Sequence, residues 1–177
     1  TDRSQLESPG LIKGMLELLE IAGERFTATS LERLLANPAI QEHFGFNQEE
    51  ARDVTQALHR TGFRWGLDGK ERGGDETFSL LWCLDRWLLG LVLPSEPGYA
   101  FDNAAPFSQG LDPSQLAKWW KLLTLLTQNL KELRCSRSCK EWVCLFNSSL
   151  EAIFGNTGTW AWEYQCFISA LDDWHNS

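Results

Sequence analysis

Gly62-Phe63-Arg64-Trp65-Gly66-Leu67 and, after a glycine-rich gap, Trp82-Cys83-Leu84-Asp85-Arg86-Trp87-Leu88-Leu89-Gly90 decide how this chain is read. The first run is a helix stop. Gly62 permits a left-handed turn, and Trp65 places an aromatic anchor next to the cation of Arg64. The second run is apolar on most sides, interrupted only by Asp85 and Arg86. A helix that is hydrophobic all round is buried on several faces, so the pattern predicts a central helix from Thr77 to Leu93. Between the two runs, the glycines and alternating charges of 66–76 predict an exposed, mobile loop.

The same helical period extends outward in both directions. Leu11, Met15, Leu18, Leu19 and Ala22 follow the turn signal Pro9-Gly10 and predict a helix from about Ser8 to Gly23. Thr29 and Glu32 have capping-box spacing, which predicts a short helix ending at Asn37-Pro38. Pro38 starts a further turn that Gly45 stops. Asn47 followed by Glu49 and Glu50 predicts the start of a helix that closes near Thr61, with Ala51, Val54 and Leu58 inward.

Downstream, Pro94, Pro97, Gly98, Pro106 and Gly110 mark 94–111 as a long irregular connection. Asp112-Pro113 opens the longest helix, which carries Leu116, Trp119, Trp120, Leu123, Leu126, Leu130 and Leu133 to about Arg134. Ser138 and Glu141 frame a second capping box, and Gly155-Asn156 ends that helix. A last helix is predicted from about Thr159 to Trp174, with an inward stripe of Trp160, Tyr164, Phe167, Ile168, Leu171 and Trp174. The fold class is all-α: one domain over 1–177 with some seven helices and long irregular loops. The alternative division is 1–93 and 112–177, joined by 94–111.

Composition bounds the function. The chain has 177 residues, of which 43% are hydrophobic and 23% charged, as in an ordinary globular protein. Its net charge of −8 opposes binding to a phosphate backbone unless the 16 Lys and Arg gather on one face. Nine tryptophans point to an aromatic core and an interface with aromatic anchors. No apolar run reaches the ~20 residues of a membrane span, and a cytoplasmic location is expected. The chain opens at Thr1-Asp2-Arg3-Ser4 without Met, as an excised or processed fragment would.

Cys83, Cys135, Cys139, Cys144 and Cys166 are an odd set, expected to be reduced thiols. The spacing of Cys135, Cys139 and Cys144 lacks paired zinc knuckles, and His43, His59 and His175 lie far off, so no metal site is expected. The chain has no phosphate loop, HExxH or GxSxG, and no catalytic residue is expected.

One candidate site remains. Arg60, Arg64, Lys70 and Arg72 could meet phosphates while Trp65 stacks a base, as in single-strand binders. In the structural alternative, Gly62 makes the turn and Trp65 anchors the loop, among the acids Asp53, Asp68, Glu71, Asp75 and Glu76. Asp85 and Arg86 inside an apolar helix need partners, and Arg86 is expected to tie that helix to a neighbouring loop. Asp172-Asp173 reads as a solvated face.

Taken with Glu24-Arg25-Phe26-Thr27-Ala28, Leu31-Glu32-Arg33-Leu34-Leu35-Ala36-Asn37-Pro38-Ala39-Ile40 and Phe44-Gly45, the two opening runs resemble the exodeoxyribonuclease V gamma subunit family, RecC, in wording and order. The resemblance covers Leu11 to Gly90 in wording and Asp112 onward in pattern. Trp82-Cys83 and Trp87 depart from the family's usual residues. The resemblance implies an internal segment of a long chain, similar to the mostly helical 2B-like insertion of a helicase body. It implies a non-catalytic role in DNA repair and recombination, through DNA handling and subunit scaffolding within a heterotrimeric RecBCD helicase and nuclease. RecB-like and RecD-like subunits and DNA are the implied partners, and ATP and Mg2+ would be used by those subunits. The competing reading is a self-contained protein-interaction module with a Trp-rich surface.

Overall fold

Local signals set most of the helix ends. Asn37 accepts the backbone N–H groups of Ala39 and Ile40 at 2.9 and 3.3 Å and starts a helix with Pro38 at its first position. Asp112 accepts those of Ser114 and Gln115 at 2.8 and 3.0 Å. Ser138 and Glu141 form the reciprocal capping box that their spacing predicts.

The computed structural model describes residues 10–93, 100, 103–108 and 112–176. Among them are eight α-helices and no strand: α1 (Leu11–Gly23), α2 (Ala28–Leu35), α3 (Pro38–Phe44), α4 (Gln48–Thr61), α5 (Leu80–Val92), α6 (Pro113–Leu133), α7 (Cys139–Phe154) and α8 (Ala161–Asn176). The expected all-α class is therefore the observed one. Most of the connection expected over 94–111, and the helix start expected at Ser8, lie outside the described residues. No helix among the described residues is long and apolar enough to cross a membrane.

The described residues group into two compact units that interleave along the chain. One takes residues from Thr1–Glu24, Arg33–Gln48 and Leu125–Ser177, the other from Arg25–Glu32 and Glu49–Thr124. In the first unit α1, α3, α7 and α8 pack on one another around Leu11, Met15, Leu18, Ile40, Leu150, Ile153 and Phe154. The approach to α1 is close: a Cβ at Gly14 would meet the Phe154 ring at 2.4 Å.

The buried face of α8 differs from the expected stripe. Glu163 and Leu171 are buried, Tyr164, Phe167 and Ile168 are half-buried, and Trp174 is 46% exposed. The reason is electrostatic. Glu163 Oε2 accepts the Ile12 N–H at 2.9 Å, so a carboxylate from α8 caps the start of α1, where Gly10 offers no side chain. Asn37 adds a second tie by donating Nδ2–H to the Gly10 carbonyl at 3.0 Å.

In the second unit α4, α5 and the first half of α6 bury Val54, Leu58, Leu80, Leu84, Trp87, Leu116, Trp119, Leu122 and Leu123. α5 starts at Leu80 behind the Ser79 cap, three residues later than its composition suggests. It is also not buried all round. Leu80, Trp82, Cys83, Leu84 and Trp87 face the core, whereas Leu91 and Val92 are 48% and 75% exposed. Apolar composition states a preference for burial, not that a neighbour exists on every side.

The start of α2 is a further correction. Thr27, not Thr29, begins it: Thr27 Oγ1 accepts the Ser30 N–H at 3.2 Å, and the Thr27 carbonyl accepts that of Leu31 at 3.0 Å. Thr29 lies inside the helix.

Candidate nucleic-acid contact site around Trp65

Three stretches of the second unit, 25–28, 62–67 and 78–81, are knotted together by their backbones. Thr27 and Trp65 form an isolated antiparallel bridge. The Gly66 N–H reaches the Phe26 carbonyl at 2.8 Å, and the Arg64 N–H reaches that of Phe78 at 3.0 Å. Leu80 and Leu81 donate in turn to the carbonyls of Gly66 and Leu67 at 3.0 and 3.1 Å. Beneath these bonds the buried rings of Phe26 and Phe63 lie 6.0 Å apart.

Gly62 makes the knot possible. Its φ of 112° turns the chain out of α4, and both Gly62 and Phe63 donate N–H to the Leu58 carbonyl, at 3.1 and 2.9 Å. These bonds also correct the expectation of a freely exposed loop over 66–76. Gly66, Leu67 and Gly69 are buried, Asp68 accepts the Lys70 N–H at 3.0 Å, and a 3-10 turn spans Lys70–Arg72. Only Lys70 and the stretch 73–76 are exposed.

The structure brings Trp65 and Arg72 together and adds Arg25, which sequence reasoning missed. The guanidinium carbons of Arg25 and Arg72 lie 4.3 and 4.5 Å from the Trp65 ring centroid. Arg72 Nη1 also donates to the Trp65 carbonyl at 3.3 Å, while its Nε–H is buried without a hydrogen-bond partner. Forty residues of sequence separate Arg25 from Trp65, so no spacing rule could have joined them. Arg60, Arg64 and Lys70 are exposed, and none of them holds an ion pair among the described residues. The neighbouring acids are occupied by their own loop: Asp68 caps the 3-10 turn, and Asp75 accepts from both the backbone and the hydroxyl of Thr77. The Thr77 bonds, with a smaller contribution from Arg72, hold the Asp75 carboxyl below the usual range.

Arg86 serves a different end of the same unit. Its Nε–H donates to the Ala105 carbonyl at 2.8 Å and its Nη1–H to the Thr61 carbonyl, while its guanidinium lies over Trp82 and Phe107. Thr61 closes α4, so the cation meets the negative end of that helix. Trp87 Nε1 donates to Thr61 Oγ1 at 2.7 Å, and that hydroxyl donates to the Ala57 carbonyl at 2.7 Å. Asp85 is exposed. Burial pushes the nearby Cys83 thiol up to about 12, against a smaller opposing pull from Arg86. Cys135, Cys139, Cys144 and Cys166 are exposed thiols, and among the described residues no group of three or more His, Cys, Asp or Glu could hold a metal.

Chemically, the site offers positive charge around an indole whose ring already carries two guanidinium contacts.

The comparisons with known proteins point the same way as the wording of the knot. The family model of the RecBCD enzyme subunit RecC fourth domain matches residues 8–177. The RecBCD enzyme subunit RecC of Escherichia coli (strain K12) is 27% identical over 161 residues, covering 87% of this chain and 14% of that protein. Its counterpart in Mycolicibacterium smegmatis is 23% identical over 158 residues, covering 86% of this chain and 15% of that protein. The one in Mycobacterium tuberculosis (strain ATCC 25618 / H37Rv) is 30% identical over 110 residues, 59% of this chain and 10% of that protein. The chain thus spans a small part of the length of the relatives it matches.

Proposed function

Because this chain belongs to the RecC family and corresponds to its fourth domain, we propose that it works as a non-catalytic, DNA-handling and scaffolding segment of a RecC-type subunit. In this reading it is the 2B-like insertion of a helicase body, and the enzyme around it takes part in double-strand-break repair and recombination. RecB-like and RecD-like subunits are its protein partners, and ATP and Mg2+ are used by those subunits rather than here. Arg60, Arg64, Lys70 and Arg72, set about Trp65, are the DNA contacts. The observation that carries the reading is the coincidence of two things at one place. The family-like runs 25–28 and 62–67 meet in the backbone knot, and the exposed cations Arg60, Arg64 and Lys70, which hold no ion pair among the described residues, sit in or beside it.

The scaffolding half of the reading is supported by aromatic and aliphatic side chains left in solvent. Trp162 and Trp174 on α8 are 52% and 46% exposed, and Leu91 and Val92 end α5 uncovered. Such groups suit contact with another subunit.

The test uses the complete three-subunit complex in which Arg60, Arg64 and Lys70 are all replaced by Gln. Fluorescence anisotropy with forked DNA is titrated at low and physiological salt, and subunit co-purification is followed in parallel. The expected result is intact assembly, several-fold weaker DNA binding and a shallower salt dependence. Unchanged affinity and salt dependence would remove DNA handling and leave scaffolding alone.

A further inference from the structure

We infer that Arg25 and Arg72, held against Trp65, form a phosphate clamp that grips a phosphodiester without reading its base. The inference rests on the DNA-handling reading above and specifies how one contact is made. It also adds Arg25 and reassigns Trp65 from base stacker to spacer.

Three observations carry it. First, the Trp65 ring has guanidinium carbons at 4.3 and 4.5 Å, so two cations already engage the indole that a base would stack on. Second, both cations lie within 4.5 Å of one ring centroid, which puts them inside the Debye length of ~10 Å at 0.1 M salt, and they therefore repel. Among the described residues neither holds an ion pair that offsets this repulsion. Cation–π contacts hold the two forks in place, but only an anion between or beside them removes the repulsion. Third, Arg72 Nε–H is buried with no acceptor, a donor that the fold itself does not use.

The neighbouring carboxylates offset only part of that charge, Asp75 being drawn to Arg72 less strongly than to Thr77. Asp68 and Asp75 face their own loop through the bonds to Lys70 and Thr77. A phosphodiester fits the remaining demand because guanidinium forks match its paired oxygens and because a planar indole spaces the forks rigidly. In an acidic chain, a local cationic clamp is also what contact with a polyanion requires.

The experiment uses the complete complex carrying Arg25→Gln or Arg25→Lys, with forked DNA and a matched fork whose single-stranded arm is abasic. Arg25 is exposed and its guanidinium rests on the Trp65 ring, so the fold is expected to survive. Equal thermal melting of variant and parent checks this. The expected result is that Arg25→Gln weakens both forks several-fold and equally at low salt. The slope of log affinity against log salt falls by ~0.7–0.9, the value of one phosphate contact. Arg25→Lys recovers most of that slope.

Two results overturn the inference. If Arg25→Gln leaves affinity and slope unchanged while the Arg60, Arg64 and Lys70 replacement weakens binding, the DNA-handling reading stands and the clamp is only a structural latch. If Arg25→Gln leaves DNA binding intact but loosens co-purification of the partner subunits, the anion is a carboxylate of a protein neighbour.

Discussion

The tryptophans of α5 and of α8 are placed in opposite ways. In the unit that holds the knot, Trp82 and Trp87 are buried and their indole N–H groups are satisfied, by the Asn103 carbonyl at 3.1 Å and by Thr61 Oγ1 at 2.7 Å. In the unit that holds α8, Trp162 and Trp174 stand about half in solvent. Buried aromatics with spent polar edges stabilise a fold, whereas exposed ones are available to a partner. The charges divide in a parallel way. The knot leaves cations exposed, and α8 buries a carboxylate, Glu163, at the start of α1. The knot thus presents charge to its surroundings, and α8 presents aromatic surface.

The sharpest way to break this comparison is to truncate the same residue type in each place. Trp87→Ala, at 1% exposure and with its N–H bonded, is expected to cost about 3–5 kcal/mol in chemical denaturation. Trp162→Ala is expected to stay within about 0.5 kcal/mol of the parent. Comparable losses from both would mean that α8 is packed in a way its exposure denies.

Glycine gives the next contrast. At Gly62 the backbone φ is 112° and an added Cβ would lie 3.2 Å from the Phe78 ring, so Gly62→Ala is expected to destabilise by about 1–3 kcal/mol. At Gly23 nothing lies within 4 Å of that position, and Gly23→Ala is expected to stabilise by about 0.4–1 kcal/mol. Paired thermal melts of the two variants read the difference directly.

Glu163→Gln keeps an acceptor for the Ile12 N–H but removes the charge that faces the positive end of α1. The expected loss is about 1–2 kcal/mol, near the upper range for a charge at a buried helix terminus. A loss near zero would show that hydrogen-bond geometry, not charge, holds that contact.

The smallest effects concern the thiols. Cys83 stays protonated in the fold up to about 12, whereas an unfolded thiol ionises near 8.5. Between those values the unfolded state has released a proton that the folded state retains, so stability falls as pH rises through that window. The slope is at most about 1.4 kcal/mol per pH unit, and Cys83→Ala is expected to flatten it relative to the parent. Maleimide under native conditions should label Cys135, Cys139, Cys144 and Cys166 and leave Cys83 unmodified.

These contrasts also explain what the sequence could and could not disclose. Helix ends governed by adjacent residues were legible: Asn37-Pro38, Asp112-Pro113 and the Ser138–Glu141 box all act within a few positions. Thr29 misled because Thr27 satisfies the same local chemistry two residues earlier, through Ser30. The loop at 66–76 looked unsupported because its partners, the carbonyl of Phe26 and the backbone of Thr27, arrive from a distant stretch. Glu163 sat in the predicted α8 without any sign of burial, since only the approach of the α1 start gives a carboxylate a reason to be there. At the candidate site, Trp65 was legible as the aromatic, but the cation expected beside it was Arg64, whereas the guanidiniums over the ring are those of Arg25 and Arg72. Arg25 was not legible, because pairing across 40 residues is a property of the fold.

The most direct test of the account is photo-crosslinking within the complete complex, with a benzophenone side chain at position 64 in one preparation and at position 162 in another, each bound to forked DNA. The account predicts that the probe at Arg64 captures DNA and the probe at Trp162 captures a partner subunit. DNA captured from position 162 and none from position 64 would contradict it.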